Sequence, residues 1–323
     1  MIGGKTEEMK KLLRVNALFI VLLLIAASSS YAKTAGGGLQ VEGLSYGVRQ
    51  GDVALVTVRA PSDLDYMTGK FEGKKLLFHR DGETEFTTLL GIDMDLTPGE
   101  YELSLTGKGI DMMVMKTVTF NVMERDYDIE RLRLPKKMVS PGEKLLKRIR
   151  KENLVLHKVK KIITGKRYWD GEFIAPVDGR LADNFGARRI LNGVAKKPHS
   201  GNDIRAQAGT EISSPNDGRV VYAGNMYYGG KTVIINHGHG LSTLYMHLSR
   251  VFVKYGEKVS KGDVIGLVGS TGRSTGPHLH WGAYLNGIKV DPASLLSLEV
   301  GRKGDGKGMA GRGSDLQERL GGD

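Results

Sequence analysis

Apolar residues recur at period two along most of this chain, in short runs closed by glycine and proline turns. That alternation constrains the fold more than any other feature, because side chains at i and i+2 share one side of a strand but not of a helix. Residues 53–59 (Val-Ala-Leu-Val-Thr-Val-Arg) form one β-prone run. After a turn at residues 97–100 (Thr-Pro-Gly-Glu), Tyr101, Leu103 and Leu105 share a face, and Val118, Phe120 and Val122 repeat the pattern. Residues 33–130 are therefore expected to form a small antiparallel sandwich. Its one histidine, His79, stands alone behind Leu76, Leu77 and Phe78 and predicts no site. Residues 168–298 are again strand-rich, so the predicted class is mainly β in two units.

Between the two units the periodicity changes. Over residues 140–163, Leu145, Ile149, Leu156, Val159 and Ile163 mark one stripe of a helix. Ser140 as N-cap, Pro141 at N1 and Glu143 at N3 spell a capping box, and the helix is expected to end near Thr164 and Gly165. The segment 131–167 holds 14 Lys and Arg against two acids, whereas residues 33–130 hold 17 acids against ten bases. The overall charge of +11 is thus largely one basic connector helix, which argues against a nucleic-acid-binding surface. Such a helix suits an anionic wall or membrane surface, or the acidic front domain of its own chain.

Residues 1–32 read as a signal peptide. Lys10, Lys11 and Arg14 precede an apolar stretch over residues 15–27, shorter than the roughly 20 residues a membrane span needs. Ser30-Tyr31-Ala32 then supplies the small residues a signal peptidase reads, with an uncleaved anchor as the alternative. Both readings place the rest of the chain in the periplasm or cell envelope. The tail, residues 299–323, carries eight glycines over 301–323 and reads as disordered. Cysteine is absent, which excludes disulfides, thiolate metal sites and a cysteine nucleophile, so any metal must be held by nitrogen and oxygen.

Three motifs in the last unit carry such atoms: His199-x-x-x-Asp203, His247 within residues 244–249 (Leu-Tyr-Met-His-Leu-Ser), and His278-x-His280 within residues 276–282 (Gly-Pro-His-Leu-His-Trp-Gly). On a strand, His278 and His280 point to one face while Leu279 points to the core. By the same alternation Tyr245 and His247 share a face, opposite Leu244, Met246 and Leu248. Four histidines and one aspartate can then converge on one sheet surface. Two imidazoles and a carboxylate form a zinc set with a fourth position open to water, and the two further histidines suit proton transfer and oxyanion stabilisation.

In this order, with residues 184–189 (Asn-Phe-Gly-Ala-Arg-Arg), 215–220 (Pro-Asn-Asp-Gly-Arg-Val) and 269–273 (Gly-Ser-Thr-Gly-Arg) around them, the motifs resemble the LytM/lysostaphin-type zinc endopeptidases that cut peptidoglycan. The resemblance covers roughly residues 170–293. It implies an antiparallel, duplicated-hybrid-motif-like peptidase sheet with a groove across it, and one Zn2+ held by His199, Asp203 and His280. It also implies His247 and His278 as the catalytic pair and a wall peptide as substrate, such as a D-alanyl–diaminopimelate cross-link. Some relatives have lost ligands and act only as regulators or activators of other hydrolases; all five positions are intact here. A second His-x-His, His237 and His239, falls where a hairpin must turn and is expected to be structural, as is His157 on the helix surface. Residues 257–266 resemble the hairpins of biotinyl and lipoyl carrier domains, but the corresponding turn at residues 270–274 has no lysine to modify.

Overall fold

The structure, a computed structural model, describes residues 38–133 and 139–299. The expected signal peptide and all but the first residue of the glycine-rich tail lie outside the described residues. The fold is mainly β, and among the described residues the strands form five sheets.

Two of those sheets belong to the front half. One joins Gln40–Glu42, Val53–Arg59, Glu85–Gly91 and His79–Arg80; the other joins Val48–Arg49, Met113–Met123, Gly99–Lys108, Tyr66–Phe71 and Lys74–Leu77. Their facing residues, among them Val56, Val58, Leu90, Leu103, Leu105, Phe120 and Val122, form one buried cluster. The alternating residues read from the sequence are therefore the ones that leave water. One pair departs from the antiparallel expectation: Val48–Arg49 runs parallel to Val122–Met123.

The connector helix spans Glu143–Lys160, shorter at both ends than its sequence suggested. Gly142 is the N-cap and no side chain caps it, so the capping box of Ser140 and Glu143 is not formed. Ile149 and Val159 are buried and Leu156 partly so, whereas Ile163 lies beyond the helix and is exposed. Val159 packs on Ile234 and Leu244 of the back half. Arg148 Nη2 donates to the Asn225 carbonyl at 3.1 Å, and Glu152 Oε2 accepts from the Tyr227 N–H at 2.8 Å. The apolar stripe thus serves to dock the helix on the back half, not on the acidic front half. Nothing among its contacts supports an anionic wall or membrane surface as its partner.

In the back half an eight-stranded antiparallel sheet runs in the order Arg180–Leu181, Gly201–Arg205, Leu279–Leu285, Leu241–Leu248, Gly230–Gly238, Gly218–Met226 and Lys258–Val259, with Ile288–Val290 also pairing to Leu279–Leu285. One face packs on a three-stranded sheet through Ile204, Ile212, Val233, Ile235, Tyr245, Ile265, Leu279 and Trp281. The helix covers part of the other face.

The halves are stitched together. Val53 and Leu89 from the front join Trp169, Phe173, Leu285 and Val290 in one cluster. Arg125 reaches Asp52 at 2.9 Å, Asp291 at 2.7 Å and Asp183 at 3.0 Å. Residues Ile129–Leu132 form a strand parallel to Arg188–Leu191, so the chain leaving the front half is woven beside the back half's first loop. Just before it, the Tyr127 ring lies over Gly186, whose φ is +77° and whose missing Cβ would stand 2.2 Å from that ring. Only glycine fits there.

Candidate metal centre

The strand Gly201–Arg205 pairs with Leu279–Leu285 in a register that sets Asp203 directly opposite His280. Directly opposed residues share a face, so a carboxylate and an imidazole meet by strand pairing alone. His199 stands four residues before Asp203, at the foot of the same strand. Its Nε2 lies 2.8 Å from His280 Nδ1 and 3.2 Å from Asp203 Oδ1, and His280 Nδ1 lies 3.0 Å from the same oxygen.

Three donor atoms so close, one from each residue, fit a shared zinc ion. Ligands at about 2.0–2.2 Å in tetrahedral array are about 3.3 Å apart. The protonation states agree. His199 Nδ1 donates to the Asn184 carbonyl at 3.0 Å, which leaves Nε2 its lone pair. Burial pushes His280 down to about 4, so it is neutral at neutral pH and free to ligate. Burial alone would raise the Asp203 carboxyl, but the adjoining His199 and His280 rings outweigh this and hold it well below the usual carboxylate range.

His278 and His247 complete the cluster, with ring centroids 4.7 Å apart. His278 Nδ1 donates to the Gly276 carbonyl at 2.9 Å and His247 Nδ1 to the Thr271 carbonyl at 2.8 Å. A carbonyl can only accept, so each ring carries its proton on Nδ1 and keeps an Nε2 lone pair. His278 Nε2 stands 3.8 Å from Asp203 Oδ1. Burial, reinforced by the neighbouring His280 and His278, pushes His247 down to about 3.

His247 reaches this face by a route the alternation did not predict. Tyr245, expected beside it, points the other way and is buried in the core with Trp281 and Leu279, its hydroxyl 2.7 Å from Thr243 Oγ1. Met246, expected opposite, is on the helix side with Leu244. Strict alternation would then send His247 into the core with Tyr245. Instead its backbone is left-handed, φ +67°, with its N–H on the Gly229 carbonyl at 2.8 Å, and the side chain swings back to the histidine face.

His237 is fully buried, its Nδ1 2.7 Å from the Asp217 carbonyl and its Nε2 2.7 Å from Thr243 Oγ1. Both ring nitrogens are satisfied, one by the loop before Gly218–Met226 and the other by the strand Leu241–Leu248. His239 sits in the turn with φ +47°, and its Nε2 is 3.1 Å from the Gly165 carbonyl. His157 is exposed, as expected.

Around the donors runs a layer that only the structure exposes. Asp203 Oδ2 accepts from Arg189 Nη2 at 3.2 Å and from Asn184 Nδ2 at 3.3 Å. Glu130 accepts from both of those residues, from Arg189 Nε at 2.7 Å and from Asn184 Nδ2 at 2.8 Å. Asn184 and Arg189 belong to a run quoted for its resemblance alone; Glu130 carries no sequence signal. Beside the cluster, Arg205, Gln207, Thr275 and Pro277 help line an open groove of about 650 Å³.

An antiparallel sheet that gathers a His-Asp-His cradle and two further imidazoles at the side of an open groove defines a metallopeptidase. Comparison with known proteins agrees. Residues 197–292 match the model of Peptidase family M23. Peptidoglycan DD-endopeptidase ShyA of Vibrio cholerae is 46% identical over 120 residues, which are 36% of this chain and 28% of the relative. A solved Pseudomonas aeruginosa structure assigned to peptidase M23 is 29% identical at a TM-score of 0.60, covering 76% of this chain and 94% of that one. The catalytic domain of lysostaphin from Staphylococcus simulans is 33% identical over 37% of this chain and 93% of that one, with a TM-score of 0.34. The chain belongs to peptidase family M23, of the LytM/lysostaphin type. It spans under a third of the length of the curated relatives it matches first.

Proposed function

We propose that this chain is an exported zinc-dependent endopeptidase that hydrolyses peptide bonds in peptidoglycan cross-links. The observation that carries the reading is the convergence of His199 Nε2, Asp203 Oδ1 and His280 Nδ1 beside two imidazoles whose proton positions are fixed. His199, Asp203 and His280 would hold the ion. When bound, zinc supplies Lewis acidity toward a peptide carbonyl and lowers the pKa of water to near neutrality. His247 and His278, anchored through Nδ1, present Nε2 to the reacting atoms, where one takes up a proton and the other steadies the developing oxyanion. The groove admits an extended peptide alongside them. The substrate class is supported by the relative named a DD-endopeptidase, and the periplasm by the signal-like residues 1–32. Among the described residues no helix is long and apolar enough to cross a membrane.

The intact set of five groups favours a hydrolase over a wall-binding regulator on the same fold. The test is bound zinc and release of cleaved cross-links from purified sacculi, with and without a chelator. Wild type is expected to hold one zinc and to lose hydrolysis on chelation; His199→Ala and His280→Ala lose both metal and hydrolysis. Full zinc occupancy with intact cross-links would leave the regulator reading in its place. Stoichiometric zinc in either variant would remove that residue from the ligand set.

A further inference from the structure

We propose that Glu130, on the strand that leaves the front half, is a positioning residue of the metal site. It stands between the only two side chains that hold the outer oxygen of Asp203 among the described residues. One carboxylate oxygen of Glu130 takes Arg189 Nε at 2.7 Å and the other takes Asn184 Nδ2 at 2.8 Å. Arg189 and Asn184 pass that grip on to Asp203 Oδ2, so that Oδ1 is left facing His199 and His280. Asn184 also takes the His199 Nδ1 proton on its backbone carbonyl and the Asp203 N–H on its Oδ1. A single acid from outside the family-matched residues 197–292 thus controls the orientation of two of the three donors.

The chemistry of the guanidinium explains why the acid is needed. A guanidinium favours two parallel bonds to one carboxylate. With Glu130 holding Nε, Arg189 offers Asp203 only Nη2, and therefore only one Asp203 oxygen. Without Glu130 the fork is free to take both oxygens and to compete with the metal for Oδ1. The three side chains are only 20–23% exposed, so solvent screens the exchange weakly. The strand itself cannot drift: Ile129–Leu132 pairs with Arg188–Leu191, and Tyr127 OH donates to the Gln50 carbonyl at 3.1 Å.

The inference rests on the metallopeptidase reading only for its turnover measurement; its metal measurement stands alone. Zinc affinity of the full chain is measured by competition with a chromophoric chelator, without substrate. Glu130→Ala is expected to weaken zinc by about tenfold to a hundredfold, the usual loss for a partner one step beyond a ligand, and the near-isosteric Glu130→Gln by less. In an Arg189→Ala, Asn184→Ala background Glu130→Ala should cost almost nothing more, because Glu130 acts through those two side chains. Asp81→Asn, which breaks the front-to-back ion pair with Arg167 (2.7 Å), should leave zinc affinity unchanged. Affinity within twofold of wild type in both Glu130 variants overturns the proposal. So does a full additive loss in the combined variant, or an equal loss in Asp81→Asn. If Glu130→Ala does not fold, Glu130→Gln decides alone. Because Glu130 also lines the groove, kcat and KM are separated on a cross-linked muropeptide: a raised KM with unchanged zinc affinity would make Glu130 a substrate contact instead. Wild-type chain that holds zinc through Glu130 but cuts no cross-link would sink the peptidase reading and leave this one standing.

Discussion

Acidification offers a sharp test of the reading that His237 is structural, because its protonation would break a chain of hydrogen bonds inside the sheet. Its Nδ1–H donates to the Asp217 carbonyl, so its Nε2 must accept from Thr243 Oγ1, which in turn accepts from the Tyr245 hydroxyl. Burial pushes the ring down to about 4. The unfolded chain, with an ordinary histidine near 6.5, takes up the proton first. Stability is therefore full above about pH 6.5 and falls as pH drops toward 4. Linkage between those two values puts the loss between pH 7 and pH 5 at about 2 kcal/mol from this residue alone. His237→Asn keeps a donor for the Asp217 carbonyl but cannot titrate. Melting of both proteins is followed from pH 7 to pH 5 with chelator present, so that metal release does not contribute. Wild type should lose a few degrees more than the variant over that interval, whatever the variant's starting stability. Parallel curves would refute the argument, and zinc bound through His237 would refute the structural reading outright.

Other outcomes follow from the same geometry. His247→Ala and His278→Ala should keep one zinc yet lose about a hundredfold or more in turnover, read as bound metal against the rate of muropeptide release. Near-normal rates in both would return the pair to a structural role. Arg125→Ala leaves the Asp291 carboxylate, whose side chain is 4% exposed, with Asn202 and the Ala293 N–H but without its cation, and should cost about 3 kcal/mol in chemical denaturation. Gly186→Ala should lower the melting temperature by displacing the Tyr127 ring.

Much of this was legible from spacing. Leu103 and Leu105, or Phe120 and Val122, are buried because period two on a twisted pair of sheets leaves them no other side. The positions of His278 and His280 follow from the same rule, and Asp203 opposite His280 follows once the two strands pair. The rule failed where the backbone departs from a plain strand. At His247 a left-handed residue reverses the face, and no residue type in residues 244–249 announces it. The capping box failed for a different reason: Gly142 begins the helix with extended φ and ψ, and docking through Ile149 and Val159 outweighs a cap. Glu130 was invisible because one acid among several at the end of the front unit means nothing until the register of Ile129–Leu132 with Arg188–Leu191 sets it beside Arg189.

The left-handed backbone at His247 puts heat resistance and turnover in competition at one position. A β-carbon in that conformation costs on the order of 1–3 kcal/mol, which glycine would recover. Glycine at 247 would also give up the Nδ1–H bond to the Thr271 carbonyl, and where the relieved strain exceeds that loss, laboratory selection for thermal stability alone would discard the imidazole. A screen meant to harden this protein has to score cleavage in every round.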